Sequence, residues 1–216
     1  MKKVARTALC GIVMVVNALV SQGCSHPFPG SDDELLLLTA WRFLDYKKFI
    51  FATSQTHDGN FATGYANGIA GADAFCQQQK DQFGQNVQGF GFEYKALLAD
   101  DTNRRASTTA NAGDGQIAWV LKANTAYYRP DGTLIFTTNA AALYPLASNL
   151  SASFTGTTEA YWTGLDQDWL FLLDCTDWSG TGTGTKGIGN SVGATALSNG
   201  SNACSSLLNR LLCVRL

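Results

Sequence analysis

The feature that most constrains this chain is its set of six cysteines. Cys10 lies inside an N-terminal segment that reads as an export signal, and Cys24 stands at the end of it. Four remain: Cys76, Cys175, Cys204 and Cys213. An even number of cysteines in an exported chain argues for two disulfides. Four cysteines allow three pairings, and spacing does not choose among them.

The export reading rests on the first 24 residues. Lys2, Lys3 and Arg6 precede the apolar run Ala8 to Val20, which is broken only by Asn17. That run is too short and too poorly flanked for a permanent span and has the layout of a secretory signal. Ser21, Gln22 and Gly23 then meet Cys24. A cysteine directly after such a cut is the pattern of a bacterial lipoprotein, here with Ser21 where leucine is usual. The expectation is a signal peptide over residues 1–23, lipidation at Cys24, a tether and short helix over 24–45, and one domain over 46–216. Each buried methylene of the lipid contributes about 0.8 kcal/mol, so several chains anchor stably. The expected location is the outer membrane, lipid-anchored and surface-exposed.

Loss of Lys2, Lys3 and Arg6 takes the formal charge from −2 to about −5. With no basic run, nucleic acid is a poor partner. About 190 residues remain, enough for one domain with a good core, and no solenoid period is present. Ser31 with Glu34 forms a capping box ahead of the apolar Leu35–Leu38 segment, so a short helix is expected there. Lys47–Ser54 is apolar and suits a first strand. Ile69, Ala72, Cys76 and Phe83 recur at helical spacing, and Gly84 is placed to stop the helix. Strands are expected over Phe92–Asp100, over Ala160–Leu165 and over Leu207–Val214, and two apolar segments flank a turn at Arg129-Pro130-Asp131-Gly132. Ser179–Gly200 is almost all Gly, Ser, Thr and Asn and reads as a long loop.

Taken together, ADAFC, YKALLADDTNRRAS, YWTGL, DCTDWSG and CSSLLNRLLCV, in this order, resemble the C-type-lectin-like fold and its endostatin branch. The runs FATSQTHDGNF, GIAGADAFCQ and YYRPDGTLIFTTN are similar to those of leptospiral endostatin-like surface lipoproteins. The resemblance covers about Lys47 to Val214. It implies an α+β domain with a mixed, twisted sheet, flanking helices and long loops, and the pairing Cys76–Cys213 with Cys175–Cys204. It also implies binding of host proteins: laminin, fibronectin, plasminogen and complement regulators such as factor H, with adhesion and immune evasion as the roles. A calcium- or glycan-binding lectin-like protein, and a structural lipoprotein without a host ligand, are the alternatives.

The residues carry little other chemistry. The Cys175–Cys204 segment lacks the Glu-Pro-Asn and Trp-Asn-Asp runs of sugar-binding lectins, leaving Asp166 and Asp168 as weak calcium candidates, since calcium takes six to eight oxygens. His26 and His57 are the only histidines outside the signal, too few for the zinc site of animal endostatins. His57 is also the only base in the domain for a nucleophile–His–acid arrangement, and Glu93 and Glu159 are not placed as a catalytic pair; no cofactor and no enzyme activity are expected. Lys95, Arg104 and Arg105 stand where animal endostatins carry a heparin-binding patch, which would give weak, salt-sensitive sulfated-glycan binding. Trp169 and Trp178 are the candidate exposed contact residues, since tryptophan is favoured at binding hot spots, while Trp162 and Leu165 are expected in the core.

Overall fold

In the strand KFIFA, Phe49 and Phe51 belong to one hydrophobic cluster and Ile50 to another. Side chains alternate along a strand, so an unbroken apolar run marks a strand covered on both faces. The computed structural model describes residues 47–82, 87–145 and 148–216. The signal segment, Cys24, the helix expected after Ser31, and Phe83 with Gly84 lie outside them.

This strand, β1 (Lys48–Ala52), is the middle of a five-stranded sheet with β2 (Tyr94–Ala96), β3 (Ala126–Tyr128), β4 (Leu134–Thr137) and β9 (Leu212–Arg215). Their order is β2-β9-β1-β3-β4. β9 pairs antiparallel with both β1 and β2, and β1 pairs parallel with β3. A second sheet has the order β7-β6-β5-β8, from β5 (Ala160–Trp162), β6 (Thr183–Ile188), β7 (Ser201–Ala203) and β8 (Asn209–Arg210). The bonds Thr53 N to Leu211 O and Ala99 N to Thr163 O, each 2.9 Å, stitch the two sheets. Tyr46–Leu216 is one compact unit: a mixed α+β domain, mostly sheet.

Among the described residues one long helix, α1 (Gly68–Gln82), covers one face of the larger sheet. Asn67 caps it by accepting a 2.8 Å bond from Ala70 N. Ile69, Ala72, Cys76 and Gln79 form its buried stripe, as the helical spacing requires. Two glycines let it sit close. A Cβ on Gly71 would lie 1.8 Å from Phe61 O, and one on Gly68 would lie 2.3 Å from Trp178 Cβ. The other face is filled by Leu97, Val120, Tyr127, Phe136, Tyr161, Leu165 and Trp169.

The two disulfides are Cys76–Cys213 and Cys175–Cys204. The first crosses from α1 to the inner strand β9; the second ties the segment after β5 to that after β7. The turn expected at Arg129–Gly132 is present, with Arg129 N bonded to Thr133 O at 2.8 Å and Gly132 at φ +85°.

Three expectations are corrected. The Ser179–Gly200 stretch is not a plain loop: it holds β6, six residues long. Its glycines reflect crowding. A Cβ on Gly184 would meet Cys175 Sγ at 2.7 Å, and one on Gly187 would meet Ala196 O at 2.1 Å. The last strand is two, β8 and β9, in different sheets and separated by Leu211. The strand expected over Phe92–Asp100 is only Tyr94–Ala96, preceded by a 3₁₀ turn at Gly91–Glu93.

The cross-links differ in the chain they enclose, 137 residues apart against 29. Loop-closure entropy then assigns about 5 kcal/mol to Cys76–Cys213 and about 4 kcal/mol to Cys175–Cys204. Paired Cys→Ala variants measured by urea denaturation should rank in that order, with the Cys76/Cys213 variant the less stable.

Candidate functional site

The arginine run resolves into two different residues. Arg104 is 1% exposed. Its guanidinium is bidentate to Asp73, at 2.9 and 2.8 Å, and also donates to Ala96 O (2.8 Å) and Ala118 O (3.1 Å). Asp73 Oδ1 further accepts from Ala96 N at 3.0 Å. Arg104 therefore rivets α1 to β2 and is not a free ligand-binding cation. Arg105 donates to the Asp101 carboxylate and to Asp101 O. Lys95 is partly exposed, with Nζ 3.8 Å from Asp73 Oδ2. The patch expected from Lys95, Arg104 and Arg105 thus loses its middle member to the interior.

The tryptophans expected at the surface are inside. Trp169 is buried, donates to Tyr144 O at 2.6 Å and packs edge-on against Trp119. Trp178 is fully buried, donates to Ala99 O at 2.9 Å and packs on Trp162. What turns Trp178 inward is local. Cys175, Thr176, Asp177 and Trp178 all have φ between +54° and +59°, forming one left-handed turn. For residues with a Cβ that conformation costs about 1–2 kcal/mol each, and here the Cys175–Cys204 bridge and the burial of Trp178 offset it.

The acidic candidates hold their own turn. Asp166 Oδ1 accepts from Gln167 N at 2.7 Å and Asp168 Oδ1 from Leu170 N at 3.3 Å. Among the described residues no group of three His, Cys, Asp or Glu side chains is placed to hold a metal ion. His57 stacks on Phe61 with ring centroids 4.3 Å apart, beside Asp58. Glu93 pairs with Arg215 and Glu159 with Arg210, each at 2.8 Å.

A feature the sequence analysis did not single out stands at the start of β2. Phe90 and Phe92 are 67% and 70% exposed. Their rings are stacked, with centroids 5.6 Å apart and planes 7° from parallel. The mount beneath them is fixed. Buried Gly91, between them, donates to Asp81 Oδ1 of α1 at 2.9 Å, and a Cβ there would strike that carboxylate at 2.3 Å. Glu93 is held by Arg215 of β9, and Tyr94 Oη donates to Gln88 O at 2.6 Å. Burial of the Tyr94 phenol pushes its pKa up, so that anchor stays protonated at neutral pH. The signal was the alternation Gly-Phe-Gly-Phe, Gly89 to Phe92, which reads as strand when only apolar content is considered. Leu207 and Leu208, 64% and 75% exposed, form a second apolar projection just before β8.

With this architecture in view, a disulfide-locked domain presenting exposed aromatic and aliphatic side chains, the comparison with known families is direct. The chain belongs to the family described as Protein of unknown function (DUF1554), which matches residues 54–199. No curated protein matches it.

The arginines separate by experiment. Arg104→Ala strands Asp73 and Ala96 O in the interior and should cost about 3–5 kcal/mol. Arg105→Ala removes a partly exposed contact and should cost about 1 kcal/mol or less. Urea denaturation of the two variants reads the difference directly.

Proposed function

We propose that this chain is a surface-exposed lipoprotein, anchored through Cys24 in the outer membrane, whose domain has the C-type-lectin-like fold of the endostatin type. It acts by binding rather than catalysis, as an adhesin for host extracellular-matrix or plasma proteins such as laminin, fibronectin, plasminogen or factor H. The pairing of the four domain cysteines is the one the resemblance to leptospiral endostatin-like lipoproteins implies, which supports the fold assignment.

The observation that carries the binding reading is the Phe90–Phe92 pair. Soluble monomers rarely hold large apolar groups together in water, and such patches mark interaction surfaces. Buried aromatic anchors dominate protein interfaces. Here the entropy of ordering them is already spent within the fold, because Asp81, Arg215 and Gln88 fix the segment; preorganisation of this kind reduces the cost of association.

The test is binding of the oxidised domain to immobilised laminin, fibronectin, plasminogen and factor H, for the parent and a Phe90→Ala/Phe92→Ala variant. Saturable binding at micromolar Kd or tighter to at least one partner is expected, weakened about tenfold or more by the double substitution. Because both rings are exposed, the melting temperature should stay within a few degrees. Absence of binding to all four, or equal binding by the variant, would contradict the reading.

A further inference from the structure

Asparagine followed by glycine occurs twice in the chain, at Asn67-Gly68 and at Asn199-Gly200. In such a pair the glycine backbone nitrogen can attack the asparagine amide carbon, because the glycine carries no side chain to block the approach. The fold treats the two pairs differently. Asn67 is spent as the cap of α1: its Oδ1 accepts from Ala70 N at 2.8 Å and its Nδ2 donates to Asn103 Oδ1 at 3.1 Å. Gly68 is buried as the first residue of the helix, so close to its neighbour that a Cβ would lie 2.3 Å from Trp178 Cβ.

Asn199-Gly200 is placed for reaction. β6 and β7 pair at Thr183↔Ala203, Gly184↔Asn202 and Thr185↔Ser201. Continued by one step, that register would set Gly200 against Lys186, with a bond from Gly200 N to Lys186 O. Instead Lys186 O accepts from Asn199 N at 2.7 Å, while Lys186 N donates to Gly200 O at 3.0 Å. Two residues therefore oppose one, as in a β-bulge, and the displaced Gly200 N–H donates to nothing among the described residues. Amides that follow other asparagines are tied: Ala112 N to Thr109 O at 3.0 Å, Leu150 N to Val192 O at 2.7 Å and Thr125 N to Thr138 Oγ1 at 2.9 Å. Asn199 is exposed, and among the described residues its side chain makes no hydrogen bond. Gly200 has φ +84° with open space where a Cβ would stand, a backbone conformation that glycine adopts freely.

We infer that Asn199 is a self-modifying site, which converts to isoaspartate and aspartate in the folded protein with water as the only co-reactant. The Gly200 amide gives its proton to solvent base and its nitrogen bonds to Asn199 Cγ. The Cγ–Nδ2 bond then breaks, and the side-chain nitrogen takes a proton from solvent and leaves as ammonia. Water opens the remaining cyclic imide at either carbonyl, giving aspartate or isoaspartate; nothing is oxidised or reduced. Both products carry a negative charge where the parent carries none. The isoaspartyl form also routes the main chain through the former side chain, adding a methylene between Asn199 Cα and Gly200 N. The bonds that Asn199 N and Gly200 O make to Lys186 then no longer fit together, so the modification unlatches the entry to β7. The site is separate from the Phe90–Phe92 pair, and its test does not depend on the binding of any host protein.

The experiment ages the disulfide-bonded protein in warm, mildly alkaline buffer, digests it in acid and follows the peptides that hold Asn67 and Asn199 by mass spectrometry. Electron-transfer fragmentation separates isoaspartate from aspartate. Asn199 should convert at least tenfold faster than Asn67, with isoaspartate among the products, and mildly acidic buffer should slow the reaction because the attacking nitrogen must lose its proton. In the reduced, urea-unfolded chain the two rates should converge, since only the fold distinguishes the two pairs. Asn199→Gln, whose longer side chain must close a larger ring, should stay intact at an unchanged melting temperature. In the isolated isoaspartyl form the Lys186 amide should exchange with solvent at least tenfold faster than in the parent. Equal conversion of Asn67 and Asn199 in the folded protein, a rate ratio that survives unfolding, or aspartate formed without isoaspartate would overturn the inference. Undiminished protection of the Lys186 amide in the isoaspartyl form would overturn the unlatching of β7.

Discussion

The Cys76–Cys213 bridge fixes the long helix α1 to β9, an inner strand of the larger sheet that pairs on both edges. β9 lies between β2 and β1, and Cys213 faces the helix while its neighbours Leu212 and Val214 face the opposite cluster. Beside it, Asp73 on the same helix takes the Arg104 guanidinium and the Ala96 amide. A covalent link and a buried, fully satisfied ion pair therefore act on the same joint. The bridge limits the unfolded chain. The ion pair acts differently: each partner is costly to lose because the other would be left charged in the interior. The segment entering β2 inherits this rigidity, and it is the segment that carries Phe90 and Phe92.

Much of this was legible in the residues, for physical reasons. Cysteine parity needed no geometry. The stripe of α1 was legible because Ile69, Ala72 and Cys76 recur at the helical period, and the Arg129–Gly132 turn because proline presets φ while glycine admits the positive φ that closes it. Tertiary crowding was not legible. β6 was hidden by glycines that exist because Cys175, Tyr161 and Ala196 press against the strand. Trp178 was assigned to the surface because a run of four left-handed residues is not something composition announces, and that turn is what points the ring inward. Arg104 resembled a surface cation because its partner, Asp73, is 31 residues away in sequence.

The exposed side chains are not the ones that residue type alone suggests. The side chains first favoured, Trp169, Trp178 and Arg104, hold the domain together. Those left outside and held rigid are Phe90 and Phe92, with Leu207 and Leu208 as a second projection. An exposed aromatic pair fixed from beneath suits a protein partner, through apolar area. A domain that holds such side chains in water on a rigid mount is organised for recognition.

The most direct test of that account is hydrogen–deuterium exchange of the oxidised domain, alone and saturated with whichever matrix or plasma protein binds it. The account predicts slowed exchange concentrated over Val87–Lys95, with the Trp169 and Trp178 segments unchanged. Protection confined to other segments, with Val87–Lys95 exchanging as in the free domain, would contradict it.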